Sequence, residues 1–174
     1  MLKILDCTLR DGGYYTNWDF SSEVVDSYIQ AMNSLPVDYL EVGYRNNPSK
    51  EYIGKFGYTP VSALTHLRAT CTKKLVVMLN EKNTLPADLD RLLKPIVGLV
   101  DMVRLAVDPQ NFDRALLLAK AVKSLGFEVG FNTMYMSKWN EYKGFFDKLS
   151  QLDDVADLFC MVDSFGGVTP NIAS

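Results

Sequence analysis

Histidine is nearly missing from this chain: His66 is the only one among 174 residues. It falls on a predicted helix of the outer layer, where a surface position is the plain reading and a catalytic one the exception. Cysteine is scarce too. Cys7, Cys71 and Cys160 are odd in number and lack a Cys-x-x-Cys spacing, which fits reduced, buried thiols and no disulfide, as in a cytoplasmic protein. Basic clusters stop at Lys73-Lys74, and the formal net charge is -3, which argues against a nucleic-acid surface. No apolar run approaches the roughly 20 residues of a membrane span, and the amino terminus lacks a signal-type pattern. A cytoplasmic location without membrane contact is therefore the expectation.

What the chain does have is a 48% hydrophobic content, enough for one domain over residues 1–174 with a sizeable core. Apolar runs of strand length alternate with helix-period segments, the pattern of repeated βα units around a parallel sheet. Strands are expected at Leu2–Cys7, Val37–Gly43, Lys74–Leu79, Val100–Ala106, Phe127–Thr133 and Asp157–Val162. Helices are expected from Ser21 or Ser22 to Pro36, then over Pro60–Ala69, Leu85–Lys94, Phe112–Leu125 and Trp139–Leu152. About six units point to a TIM-type (β/α)8 barrel that is incomplete in this chain. An open doubly wound parallel sheet is the alternative.

The densest chemistry lies in Leu5-Asp6-Cys7-Thr8-Leu9-Arg10-Asp11-Gly12-Gly13-Tyr14, read as a bent loop after the first strand. Asp11 is a hard oxygen donor suited to a metal, and Arg10 a cationic fork for an oxygen that gains charge. The plain alternative is a surface salt bridge in a turn. Alternation in the second strand puts Tyr39, Glu41 and Gly43 on one face, with Leu40 and Val42 on the other. Arg104 is costly in an apolar strand unless paired, and Glu41 or Asp163 is its expected partner. Asn132 and Asp163 also fall at predicted strand ends, where barrel sites form. The long polar stretch Tyr44–Tyr58 reads as a functional loop. Its Gly54-Lys55 pair has only a weak likeness to a phosphate cradle, because GxxxxGK[ST] is absent.

Asp6-Cys7-Thr8-Leu9-Arg10-Asp11-Gly12 resembles the opening signature of the DRE-TIM metal-dependent aldolases and lyases, the group that includes 3-hydroxy-3-methylglutaryl-CoA lyase. The 4-hydroxy-2-oxovalerate aldolase branch is the most similar. Glu41-Val42-Gly43, Val103-Arg104, Phe131-Asn132 and Asp163-Ser164-Phe165-Gly166 extend the resemblance along the whole chain. It implies a divalent metal, Mn2+ or Mg2+, with Asp11 as one ligand and a His-x-His motif supplying two more. It implies a 2-oxo acid substrate cleaved through a metal-stabilised enolate that Arg10 faces. Glu41, Arg104, Asn132 and Asp163 would support the site or touch substrate. Tyr14 stands where those aldolases carry an acid-base histidine, and an ordinary tyrosine has a pKa of about 10, so the exact substrate is open.

No His-x-His occurs in this sequence, and a complete barrel takes about 250 residues. The expectation is an amino-terminal portion of a lyase that assembles as a homo-oligomer. Two competing functions are a condensing synthase that joins an acyl-CoA to a 2-oxo acid, and a barrel that has lost its ligands and serves as a binding module.

Overall fold

The computed structural model describes residues 2–173. Along the chain come β1 (Leu5–Asp6), α1 (Thr8–Thr16), α2 (Ser22–Ser34), β2 (Tyr39–Tyr44), α3 (Val61–Thr70), β3 (Lys74–Asn80) and α4 (Leu89–Leu92). They are followed by β4 (Met102–Val107), α5 (Phe112–Ser124), β5 (Glu128–Thr133), α6 (Phe145–Lys148), β6 (Leu158–Met161) and α7 (Pro170–Ala173). The strands pair in parallel in the order β1-β2-β3-β4-β5-β6. Each strand therefore lies beside its successor, without the reversal of order that defines a doubly wound sheet.

The sheet is curled. Neighbouring strands lie about 4.8 Å apart, so β2 and β5 would stand roughly 14 Å from one another in a flat sheet. Yet the Tyr39 hydroxyl donates to Glu128 Oε2 at 3.0 Å across the concave face. Leu5 of β1 and Leu158 of β6 pack on one shared cluster with Tyr39, Val76 and Met102. Six parallel strands thus form a half-barrel whose two edge strands look into the same hollow.

Alternation, interrupted near the end of β2, separates the two faces. Leu40, Val42, Leu75, Val77, Leu79, Val103, Leu105, Val107, Val129 and Phe131 point outward into the main core beneath the helices. Each such side chain contributes about 1.5–3 kcal/mol on burial. From the helix side come Val25 and Ile29 of α2, Leu64 and Leu67 of α3, and Ala115, Leu116, Ala119 and Val122 of α5. Ser21 caps α2 by accepting from the Val24 amide, and Gly126, at φ +91, turns the chain away after α5.

Several expected elements differ. The first strand is only Leu5–Asp6; Ile4 before it is tied to the entry of β2, its carbonyl accepting from the Tyr39 amide at 3.1 Å and its amide donating to the Asp38 carboxylate at 2.7 Å. Asp6 then accepts from the Thr8 amide at 2.9 Å and turns the chain directly into α1, so Arg10 and Asp11 lie on a helix and not on a loop. Gly12 and Gly13 stay helical; a side chain at 13 would run into the Trp18 indole. Prolines divide the segment expected as Leu85–Lys94 into α4 and flanking 3-10 turns at Pro86–Asp88 and Lys94–Ile96. Gly144, at φ +71, breaks Trp139–Leu152 in the same way, leaving α6 as one short turn of α-helix.

Both sheet edges lack a second strand partner among the described residues, and β6 leaves Met161 62% exposed. Such an edge recruits other chains. The 174-residue chain by itself is expected to self-associate at micromolar concentration through β6, since β1 is too short to template pairing. Sedimentation tests this: a clean monomer with the Leu158–Met161 amides protected from hydrogen exchange would refute it.

Candidate active site

The concave face carries its charges in mid-strand. Glu41 on β2 is fully buried, with Oε1 accepting from Arg10 Nε at 2.6 Å and Oε2 from Arg104 Nη1 at 2.8 Å. Arg104 on β4 also donates through Nη2 to Asn132 Oδ1 at 2.5 Å and to Cys160 Sγ at 3.6 Å. Gly130, opposite Arg104 on β5, makes room for it, because a Cβ there would collide with the arginine stem. Arg10 is 13% exposed at its side chain and bonds through Nη1 to the Asp11 carboxylate. Charges therefore alternate in a line, Arg104 to Glu41 to Arg10 to Asp11.

That alternation decides the electrostatics. Burial disfavours the charge of each arginine, but the Glu41 carboxylate outweighs it and holds both guanidinium groups more firmly protonated than usual. Arg10 spends Nε on Glu41 and Nη1 on Asp11, leaving Nη2 as the donor committed to neither carboxylate. Arg104 Nε is buried without a partner. The hollow beside them has a volume of about 350 Å³ and is lined by Cys7, Arg10, Tyr39, Met102, Arg104 and Cys160 among others.

A bulge at Glu41–Gly43 reshapes the top of β2. It turns Gly43 outward against the Phe56 backbone, away from the face expected from simple alternation, and turns Tyr44 inward. The Tyr44 hydroxyl meets that of Tyr14 at 2.8 Å. Tyr14 thereby joins the same region through α1.

Arg10, Glu41, Arg104 and Asn132 thus form one hydrogen-bonded group, with Asp11 and Tyr14 at its rim. Glu41 and Arg104 lie within their strands and not at the ends. Asp163 does not join the group, so Glu41 is the partner of Arg104. The Asp163 carboxylate accepts from the Val168 amide at 2.9 Å and the Gly167 amide at 3.0 Å, which hold it below the usual carboxylate range and shape the turn after β6. Asp11 is half exposed and also accepts from Cys7 Sγ at 3.0 Å. Among the described residues, no three potential metal ligands come together.

The other sequence candidates are structural. His66 pairs with Asp26 on the surface at 2.7 Å. Within the polar stretch, Arg45 binds the carbonyls of Leu92, Tyr58 and Thr59, and Gly54 packs on the Trp18–Asp19 backbone, leaving no cradle for a phosphate. Cys71 is buried as expected, whereas Cys7 and Cys160 are only half-buried because both line the open hollow.

No protein-family model and no curated protein matches the sequence. A crystal structure described as "the N-terminal domain of a putative aldolase" from Bacteroides vulgatus does match, at 73% identity and a TM-score of 0.96. The likeness covers 98% of this chain and 57% of that one, so this chain spans little more than half of its relative's length. The relative shares the curled half-barrel.

Two measurements test this geometry. Glu41→Gln removes the charge between two arginines, and breaking a buried pair costs about 3–5 kcal/mol. Urea unfolding should show that loss, and a loss under about 1 kcal/mol, the range of exposed pairs, would contradict the burial argument. Burial, with the hydrogen bond to Asp11, pushes the Cys7 thiol up from 9.0 to about 11. A raised folded-state pKa stabilises below the unfolded value and loses its contribution as pH rises through about 11. Cys7 should therefore alkylate more slowly with iodoacetamide at pH 8.5 than a free cysteine, and an equal rate would refute the assignment.

Proposed function

We propose that this chain is the amino-terminal part of a metal-dependent carbon-carbon lyase of the DRE-TIM type, acting on a 2-oxo acid such as 4-hydroxy-2-oxovalerate. One observation carries the reading: a buried carboxylate clamps Arg10 at the rim of a concave hollow. Likeness to a domain described as that of a putative aldolase supports it. Closure of the half-barrel into eight strands by further residues of a longer protein belongs to the same proposal.

In aldol cleavage the hydroxyl at C4 loses its proton, the C3–C4 bond breaks, and its electron pair becomes the enolate of the 2-oxo acid, which then takes a proton at C3. Arg10 would hold the enolate oxygen; a fixed donor that meets charge as it develops is worth most in a dry site. Glu41 keeps Arg10 oriented, while Arg104, itself held by Asn132, binds the other oxygen of Glu41 and the two would bound the substrate pocket. Tyr14 would serve as the proton-transferring group at the rim. Asp163 would act only through the shape of the turn after β6.

Mn2+ or Mg2+ belongs to this reading through the resemblance. Asp11 is a suitable hard ligand, but a single carboxylate already shared by Arg10 and Cys7 does not hold a divalent ion. No step is assigned to a metal on these residues, and the His-x-His expected of the family would come from a longer protein.

The test uses that longer protein, 4-hydroxy-2-oxovalerate and Mn2+, with pyruvate release as the readout. Arg10→Lys should lower kcat by about 100-fold, since a point charge does not reproduce the planar fork. Asp11→Asn should weaken Mn2+ affinity while leaving Tm nearly unchanged. Undiminished turnover in the first variant, or undiminished metal affinity in the second, would move the role elsewhere.

A further inference from the structure

Two phenols remain beside the charged line. Tyr44, only 7% exposed, ends β2 with its hydroxyl 2.8 Å from that of Tyr14. Trp18 packs edge-on against both rings, with centroids 4.8 Å from Tyr14 and 5.7 Å from Tyr44. The Arg10 guanidinium lies 5.9 Å from the Tyr44 ring centroid, and the Trp18 indole donates to the Arg10 carbonyl at 2.9 Å. The pair is thus fixed to the residue that carries the proposed chemistry.

The direction of the hydroxyl contact follows from what surrounds it. A phenol has one proton to give. If Tyr44 accepted from Tyr14, its own proton would be left inside, facing a guanidinium that has only donors, and an unsatisfied buried donor is expensive. If Tyr44 donates, both requirements are met: its proton reaches Tyr14 Oη and its lone pairs face the cation. Burial also pushes the Tyr44 phenol well above the usual range, so it keeps that proton. Tyr14, 64% exposed, then has its own O–H turned outward.

We propose that Tyr44 is a positioning residue: by donating to Tyr14 Oη it fixes the direction of the Tyr14 O–H at the rim of the site, beside Arg10. This rests on the lyase reading and deepens it by naming the group that directs the proton. In the balanced cycle, Tyr14 gives its proton to C3 of the enolate, completing the 2-oxo acid product. The resulting phenolate, held by the Tyr44 hydrogen bond, takes the C4 hydroxyl proton of the next substrate and returns to the phenol. Tyrosine can occupy the rim because a second tyrosine supports it.

Two arms test the proposal. In the 174-residue chain labelled at tyrosine Cζ, NMR should show a slowly exchanging Tyr44 hydroxyl proton that exchanges rapidly in Tyr14→Phe, and Tyr44→Phe should shift the Tyr14 Cζ resonance. A Tyr44 proton that stays slow in Tyr14→Phe is donated elsewhere and overturns the assignment. In the longer protein with 4-hydroxy-2-oxovalerate, Tyr44→Phe should lower kcat about tenfold, the scale of one hydrogen bond, with KM unchanged. Adding it to Tyr14→Phe should bring no further loss. Additive losses would indicate packing alone, and unchanged turnover in Tyr44→Phe would remove the role. If the unsubstituted protein cleaves no 2-oxo acid, the lyase reading falls, and the NMR arm still decides whether Tyr44 holds Tyr14.

Discussion

A carboxylate with no access to water is the constraint on which this half-barrel turns. Isolated, Glu41 would cost several kcal/mol to bury, so its two oxygens require two cations, and both must reach it from other elements. One comes from α1 and the other from β4, which ties the start of the chain to the middle of the sheet. Neighbouring details follow from that need. Gly130 is small because the Arg104 stem lies over it. Asn132 accepts from the arginine that Glu41 does not fully satisfy. Arg10 is reached only because the chain turns into a helix immediately after Asp6.

The outward faces of the strands were legible in the sequence because they obey a single rule. Val, Leu and Phe at every second position read as strands buried beneath helices, and neighbouring strands in parallel order follow from βα repetition. The long apolar stripe of α5 was legible for the same reason. The opening turn was not, since two glycines after Arg10-Asp11 mark a loop by local preference, whereas the Asp6 bond to the Thr8 amide and the close fit of Gly13 on Trp18 favour a helix. Tertiary packing overrode local propensity there.

Within the site, pairing was more legible than position. A lone arginine in an apolar strand demands a carboxylate, which narrowed its partner to Glu41 or Asp163. Choosing between them required knowing that Asp163 spends its oxygens on the backbone of its own turn. Tyr44 carried no such signal. It stands at the start of a polar stretch, and only the bulge at Glu41–Gly43, an irregularity of pairing that periodicity does not contain, turns its ring toward Arg10.

The inner face also has a direction. Toward the amino-terminal ends of the strands it is filled by Tyr39, Val76 and Met102. Two residues further along β4 comes Arg104, and four residues beyond Glu128 on β5 comes Asn132, in registers that place Met102 beside Glu128 and Ala106 beside Asn132. The apolar layer forms a floor, the ion pairs rest on it, and the amide and phenol groups stand above. Burial of Glu41 and Arg104 among these packed side chains lowers the local dielectric and strengthens each Coulomb contact. Groups above it, Arg10 and Tyr14 among them, are held by buried partners while remaining open toward the carboxyl ends of the strands. Rigid below and accessible above is the arrangement that lets a fixed charge act on a bound molecule without first reorganising, because the cost of orienting it was met when the sheet folded.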